Sequence, residues 1–408
     1  MANGHTEMLL QKCKIDGYPQ LQDVRIVGDL VSEIATDLVA FEKEQVIDAR
    51  GSLLTCSLAE PHAHLDKAFL AERIHNPTGD LMGAIMAMER SRDLITVADT
   101  IERAERAVRL MVSNGVTAIR THADVTEWNH LDAVQALVEV RNRTRGLVDL
   151  QICALLGWPL SGEAGKENRE RGRRAIEMGA NILGGCPHLD ANPEGANIAL
   201  IELAGELNCD LDLHTDEHTD SSRLSLDDLA NRVINTGLKR KVAASHCVSL
   251  GMQTETVQRR VSERVAEAGI SVIALPQTNL FLQGRDFSTA TPRGLTAVSS
   301  LRKAGVKLAF GADNLQDPFN PIGRGDPLES AGLAILTAHL LPDDAFESVS
   351  TVARQVMGLE VAGPQVGATA NLMLTQAGST REAIANTPMR NLVLYKGQVT
   401  HSRLAEIS

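Results

Sequence analysis

The stretch Glu60-Pro61-His62-Ala63-His64-Leu65-Asp66-Lys67 decides the fold. It follows an apolar run, Leu53 to Leu58, that reads as a buried strand. Side chains at i and i+2 of a strand point to one face, so His62 and His64 aim two imidazoles into one space at the strand's C-terminal end. Such a pair can chelate a divalent metal. Alone, the spacing fits two partly exposed loop histidines as well, and the rest of the chain has to decide.

Downstream the pattern alternates. Strands are expected over residues 116–121, 148–156, 181–187, 210–215, 242–246, 270–275 and 306–311. Helices are expected between them, over 101–113, 131–145, 166–178, 195–207, 226–236, 255–268 and 292–304. Several close on a glycine at the usual stop position: Gly115, Gly179, Gly237 and Gly305. With the strand at 53–60 this makes eight βα units, the expectation for an α/β (β/α)8 TIM barrel. A doubly wound sheet also alternates, but the chain carries neither a G-x-G-x-x-G fingerprint nor a Walker motif.

Both ends read differently. Residues 8–56 and the last forty residues show short strands with glycine turns and no helical period. We expect residues 1–56 plus 363–408 to form one small β-sandwich domain and residues 57–362 to form the barrel, with 326–358 as its helical tail.

Composition bounds the function. The chain has 408 residues, 43% hydrophobic and 23% charged, ordinary for a soluble globular protein. A formal net charge of −12 disfavours nucleic acid as a partner. Six scattered cysteines without a C-x-x-C pair read as reduced, in a cytoplasmic protein. Met1-Ala2-Asn3-Gly4-His5 lacks the features of a secretion signal, and no apolar run is long enough for a membrane span. Aromatic residues make up 3% of the chain, so a ring-stacking pocket must draw on a few of them.

Other polar residues cluster at expected strand ends. Strand five ends in His214-Thr215-Asp216-Glu217-His218, strand six in Ser245-His246, and strand eight in Gly311-Ala312-Asp313-Asn314. A barrel averages roughly 31 residues per βα unit. The intervals from His64 to His214, to His246 and to Asp313 fit four, one and two such units. His62, His64, His214, His246 and Asp313 therefore register on the C-terminal rim, where this fold keeps its active site. Imidazoles with one carboxylate suit one divalent metal ion, Zn2+ or Fe2+, rather than Mg2+ or Ca2+. A site of this kind with an open position lowers the pKa of bound water to about 7.

The order H-x-H, His, His, Asp resembles the amidohydrolase superfamily, and most closely its cytosine-deaminase branch with the triazine-processing hydrolases. The motifs that carry the likeness are Pro61 to Asp66, Gly184-Gly185-Cys186-Pro187-His188, His214 to Glu217, Ala244-Ser245-His246, Asn279 to Arg285, and Phe310 to Asn314 with Asp317-Pro318-Phe319. The resemblance implies metal ligation by His62, His64, His214 and Asp313. It implies catalytic roles for His246 beside the attacking water, for Glu217 as proton shuttle and for Asp313, and a homo-oligomeric assembly. The chemistry agrees: removing a ring amine needs protons given to the ring nitrogen and to the departing ammonia, and Glu217 lies three residues past a ligand.

The likeness also breaks in places. Cytosine deaminases carry a glutamine after strand three, where this chain reads Leu155-Leu156-Gly157-Trp158-Pro159. They carry an acid after the metal aspartate, where this chain has Asn314. Lys67, just after His62-Ala63-His64-Leu65-Asp66, resembles the triazine-processing relatives more than the cytosine enzymes. Trp158, Gln283, Asn314, Lys67, Phe281 and His188 are the substrate-binding candidates, and cytosine is expected to be a poor substrate. The expected function is hydrolytic deamination of a small-molecule nitrogen heterocycle, a pyrimidine, triazine or pterin-like ring. The alternatives are hydrolysis of a cyclic amide, removal of an alkylamine from a triazine, and a barrel that only binds a ligand.

Overall fold

The computed structural model describes residues 7–404. The reading of Met1 to His5 as lacking a secretion signal lies outside the described residues.

Eight parallel strands form the central sheet, each bonded to the next in chain order. They are Leu58–Ala63, Val116–Val125, Asp149–Leu156, Ile182–Gly185, Asp210–Thr215, Val242–His246, Ser271–Ala274 and Leu308–Phe310. They are numbered here as barrel strands one to eight. The barrel closes between its first and last members through a parallel bridge of Ala63 and Asp313. The amide of His64 donates to the carbonyl of Asp313 at 3.1 Å, and the amide of Asp313 to the carbonyl of His62 at 3.0 Å. Closure and candidate metal ligands therefore share the same backbone. Apolar residues of the helices pack outside the strands, as with Ala104, Val108 and Met111 of the helix Val97–Ser113.

Three expectations need correction. The run Leu53 to Leu58 is two strands rather than one. Leu53–Cys56 pairs antiparallel with Leu372–Thr375, whereas Leu58–Ala63 pairs parallel with barrel strand two. The partner changes at Ser57, whose amide donates to the carbonyl of Asn371 while the next amide donates to that of Gly115. The helix expected over 292–304 is only Val298–Lys303. Pro292 lacks a donor, and Gly294 sits at φ +60°, which a helix cannot use. The chain end is also not purely β, because Thr380–Asn386 is helical, capped by the Ser379 side chain.

The remaining strands form two four-stranded sheets. One holds Glu7–Cys13, Gln22–Val27, Leu30–Ala35 and Gln45–Asp48 from the first part of the chain. The other joins Leu53–Cys56 to Leu372–Thr375, Arg390–Tyr395 and Gln398–Ser402. Met8, Leu10, Ile26 and Ile47 of the first share one core with Leu54, Leu372, Leu392 and Leu394 of the second. Packing two sheets face to face over one apolar layer is a sandwich. No helix among the described residues is long and apolar enough to cross a membrane.

Candidate active site

The rim residues converge. Ligand atoms of His62, His64, His214 and Asp313 all lie within 4.8 Å of one another, and all four residues are buried. His64 Nε2 stands 3.2 Å from His214 Nε2 and 3.2 Å from Asp313 Oδ1. His62 Nε2 lies 3.6 Å from the same carboxylate oxygen. Burial holds all three imidazoles well below their ordinary pKa, with the neighbouring imidazoles adding to this at His62 and His214 and Lys67 at His64. They are therefore neutral, the form in which histidine binds metals.

The donor set fits a cation. His62 Nε2 and Asp313 Oδ1 are buried with no hydrogen-bond partner, and such atoms are costly unless something pairs them. The tautomer of His62 can be derived. Ser245 Oγ donates to Asp212 Oδ1 at 3.0 Å, so its lone pair accepts from His62 Nδ1–H at 2.9 Å. That leaves the Nε2 lone pair facing the cluster. Arg120 Nη1 in turn donates to Asp212 Oδ2 at 2.7 Å. His122 stacks on His62, with ring centroids 3.9 Å apart.

Glu217 and His246 stand beside this group. His246 Nε2 is 3.6 Å from Glu217 Oε2, and His246 Nδ1 is fixed by Asn279 Oδ1 at 2.9 Å. Burial, with Asp313 nearby, pushes the Glu217 carboxyl well above the usual range. The loop carrying Glu217 is pinned by Asp216. Its carboxylate accepts from the Ser225 and Leu226 amides, at 2.9 Å each, at the start of the helix Ser225–Thr236. His246 and Asp313 both adopt φ +66°, a left-handed conformation that non-glycine residues keep only where the surroundings impose it.

Glu60 opens the motif but escaped functional assignment. It is a clamp. Its Oε1 accepts from the amides of His62 and Ala312, both at 3.1 Å, tying barrel strand one to strand eight. Burial raises its carboxyl to about 8. Gly311 makes the clamp possible, since a Cβ there would stand 2.7 Å from Glu60 Oε1. Asp212 and Ser245 were missed as well, although Asp212 sits at i−2 from His214 on the same strand face.

A cavity of about 980 Å3 opens over the cluster, lined among others by His64, His214, Glu217, His246 and Asp313. The substrate-binding candidates divide. Lys67, Trp158 and Asn314 line the cavity. Lys67 Nζ is held by Asp124 at 2.7 Å and by Asp66, and lies 3.3 Å from His64 Nδ1. Asn314 spends its amide on Asp317 Oδ2 at 2.8 Å and accepts from Thr278 at 3.4 Å, so it holds the loop rather than offering both ends to a ring.

Phe281 and Gln283 are not among the lining residues. The helix Pro276–Leu282 explains this: it turns Thr278 and Asn279 inward, fully buried, and carries Phe281 away, where Arg285 lies over its ring. Gln283 donates to Asn279 Oδ1 at 3.2 Å. His188 lies behind the site, with Nδ1 on the carbonyl of His214 at 3.0 Å. The helix Leu81–Arg90, absent from the sequence reading, covers one side of the cavity with Leu81, Ile85 and Met88.

Known proteins share this architecture. Pterin deaminase of Rhizobium rhizogenes is 32% identical over 390 residues, covering 94% of this chain and 89% of that protein. N-isopropylammelide isopropyl amidohydrolase of Pseudomonas is 24% identical over 412 residues, covering 96% of each. The crystal structure of 5-methylcytosine deaminase from Klebsiella pneumoniae superposes with a TM-score of 0.89 at 30% identity, covering 98% of each chain. The sequence profile of the amidohydrolase family matches residues 70–401. His62 and His64 precede that region, while His214, Glu217, His246 and Asp313 lie inside it. The chain belongs to the amidohydrolase family.

Proposed function

We propose that this amidohydrolase removes the exocyclic amine of a pterin-like ring by metal-dependent hydrolysis, releasing ammonia. The observation that carries the reading is the Glu217–His246 pair, 3.6 Å apart, beside four buried ligand groups. Similarity to a pterin deaminase and to a 5-methylcytosine deaminase supports deamination. The cavity volume and the indole of Trp158 in its wall favour the two-ring substrate over a single pyrimidine ring.

His62, His64, His214 and Asp313 would hold one divalent ion, Zn2+ or Fe2+. When bound, the ion would lower the pKa of a water and so supply a nucleophile at neutral pH. The protein's residues do the rest. His246, fixed through Nδ1, presents Nε2 to the water. Glu217 takes one proton from the water and gives it to the ring nitrogen. Asp313 accepts the second proton, which passes to the leaving amine, so that the amine departs as ammonia and both carboxylates return to their starting form. A net charge of −12 and six reduced cysteines fit a cytoplasmic enzyme on a small uncharged base. A homo-oligomeric assembly, which the resemblance to the amidohydrolase superfamily implies, is part of this proposal.

The test is ammonia release from pterin, 5-methylcytosine, cytosine and an aminotriazine, using Zn2+- and Fe2+-loaded protein. Pterin should give the highest kcat/KM. Release of an alkylamine from an N-alkylated triazine, with no ammonia from any ring, would replace this reading with the triazine one.

A further inference from the structure

The chain has two tryptophans, and both line the cavity over the metal group. Trp128 follows barrel strand two and Trp158 follows strand three. Exposure gives the cavity a direction. Glu217, His214 and Asp313 at its floor are 7%, 5% and 3% exposed, whereas Trp158 is 39% exposed and Trp128, Ile85 and Phe319 are partly so. The indoles therefore wall an outer chamber, faced by Leu81, Ile85 and Met88 of the covering helix.

The cavity as a whole exceeds the need of a bare ring. Pockets of roughly 300–1,000 Å3 hold drug-sized ligands, and this one measures about 980 Å3. Its inner cations, Lys67 and Arg171, are already engaged. Lys67 bonds Asp124, and Arg171 lies 3.6 Å from Glu167 and donates to Asn168, whereas Arg92 is largely exposed and only 4.0 Å from Asp93. Glu89 and Glu127 add further negative charge to the lining. A carboxylated arm would meet Glu89, Glu127 and the occupied Lys67 and Arg171, with only the solvent-facing Arg92 in its favour, while a flat neutral arm would meet two indoles and aliphatic side chains.

We propose that Trp128 is a specificity-determining residue, and that the substrate carries a neutral planar arm on its ring, packed between Trp128 and the helix Leu81–Arg90. The proposal rests on the deaminase reading and goes further, naming the substituent and the residue that reads it.

Three ligands test it: pterin, 6-phenylpterin and 6-carboxypterin. Affinities are read from tryptophan emission on metal-loaded protein carrying Glu217→Gln, so that ligand is bound without being consumed. The expected result is binding of 6-phenylpterin about tenfold tighter than either other ligand. Trp128→Ala should lose most of that margin, and Ile85→Asn should lose it from the opposite wall. Equal affinities, tighter 6-carboxypterin, or equal losses for all three ligands in both variants would overturn the proposal. Ammonia assays on protein with Glu217 intact separate the two readings. Turnover of pterin without arm preference overturns the arm alone. Arm preference without ammonia from any ring overturns deamination alone, and neither binding nor turnover overturns both.

Discussion

His64 and Asp313 meet twice. The His64 amide donates to the Asp313 carbonyl at 3.1 Å across the barrel seam, and the side chains approach to 3.2 Å at the candidate metal group. The seam is a backbone contact, so it does not depend on the carboxylate. Asp313→Ala should keep the barrel, judged by circular dichroism, yet lose the metal by elemental analysis. Wild-type protein should carry one divalent ion per chain, and chelation should lower its melting temperature, because a ligand bound only by the folded state adds its binding free energy to stability. Full metal occupancy in Asp313→Ala would remove that residue from the ligand set.

Glu217 is the expected proton carrier. Glu217→Gln keeps the volume and a hydrogen-bonding tip but cannot titrate. Turnover should fall by on the order of 10² or more, with metal content and melting temperature nearly unchanged. Near-normal turnover would exclude Glu217 from proton transfer.

Ser245 links the His62 ring to Asp212, and its own test is metal affinity. Ser245→Ala breaks the link without placing a charge or a bulky group in the core. Loss of such an orienting partner weakens metal binding by about 10- to 100-fold. Competition against a chelator reads that loss directly, and an unchanged dissociation constant would mean that His62 is oriented by other contacts.

The barrel was legible because its signals are periodic and long-range. His64, His214, His246 and Asp313 fall at unit spacing, and Gly115, Gly179, Gly237 and Gly305 all take positive φ where the helices stop. The split at Ser57 was not legible, since an apolar run looks alike whichever sheet it pairs with. The cavity wall was harder still. Leu81, Ile85 and Met88 lie on a helix that packs over an open cavity, and the sequence gives no partner for their face. The direction of Phe281 was not legible, because it depends on a short helix starting at Pro276, where two residues, about half a turn, separate it from the inward Asn279. Asn314 shows a further limit: residue type reveals donors and acceptors, but not that Asp317 already occupies one of them.

Asp317 supplies a pH test away from the ligands. Its carboxyl is fully buried and raised to about 7 by that burial, although it accepts from Asn314 Nδ2 and the Phe319 amide, both at 2.8 Å, and from the Asn320 amide. An unfolded aspartate titrates near pH ~3.9. The folded state thus holds this proton more tightly than the unfolded chain between about pH 4 and pH 7. The sign follows: the stabilisation is complete below the unfolded pKa and is lost as pH rises through about 7. Asp317→Asn cannot titrate, so any fixed cost of the amide is independent of pH and drops out of the slope. Between pH 4 and pH 8 the variant should gain on the wild type by an upper bound of roughly 4 kcal/mol, at 1.36 kcal/mol per pKa unit. Urea unfolding of both proteins at several pH values measures the difference. Parallel pH profiles, or a wild type that gains on the variant as pH rises, would show that Asp317 is ionised in the fold at neutral pH.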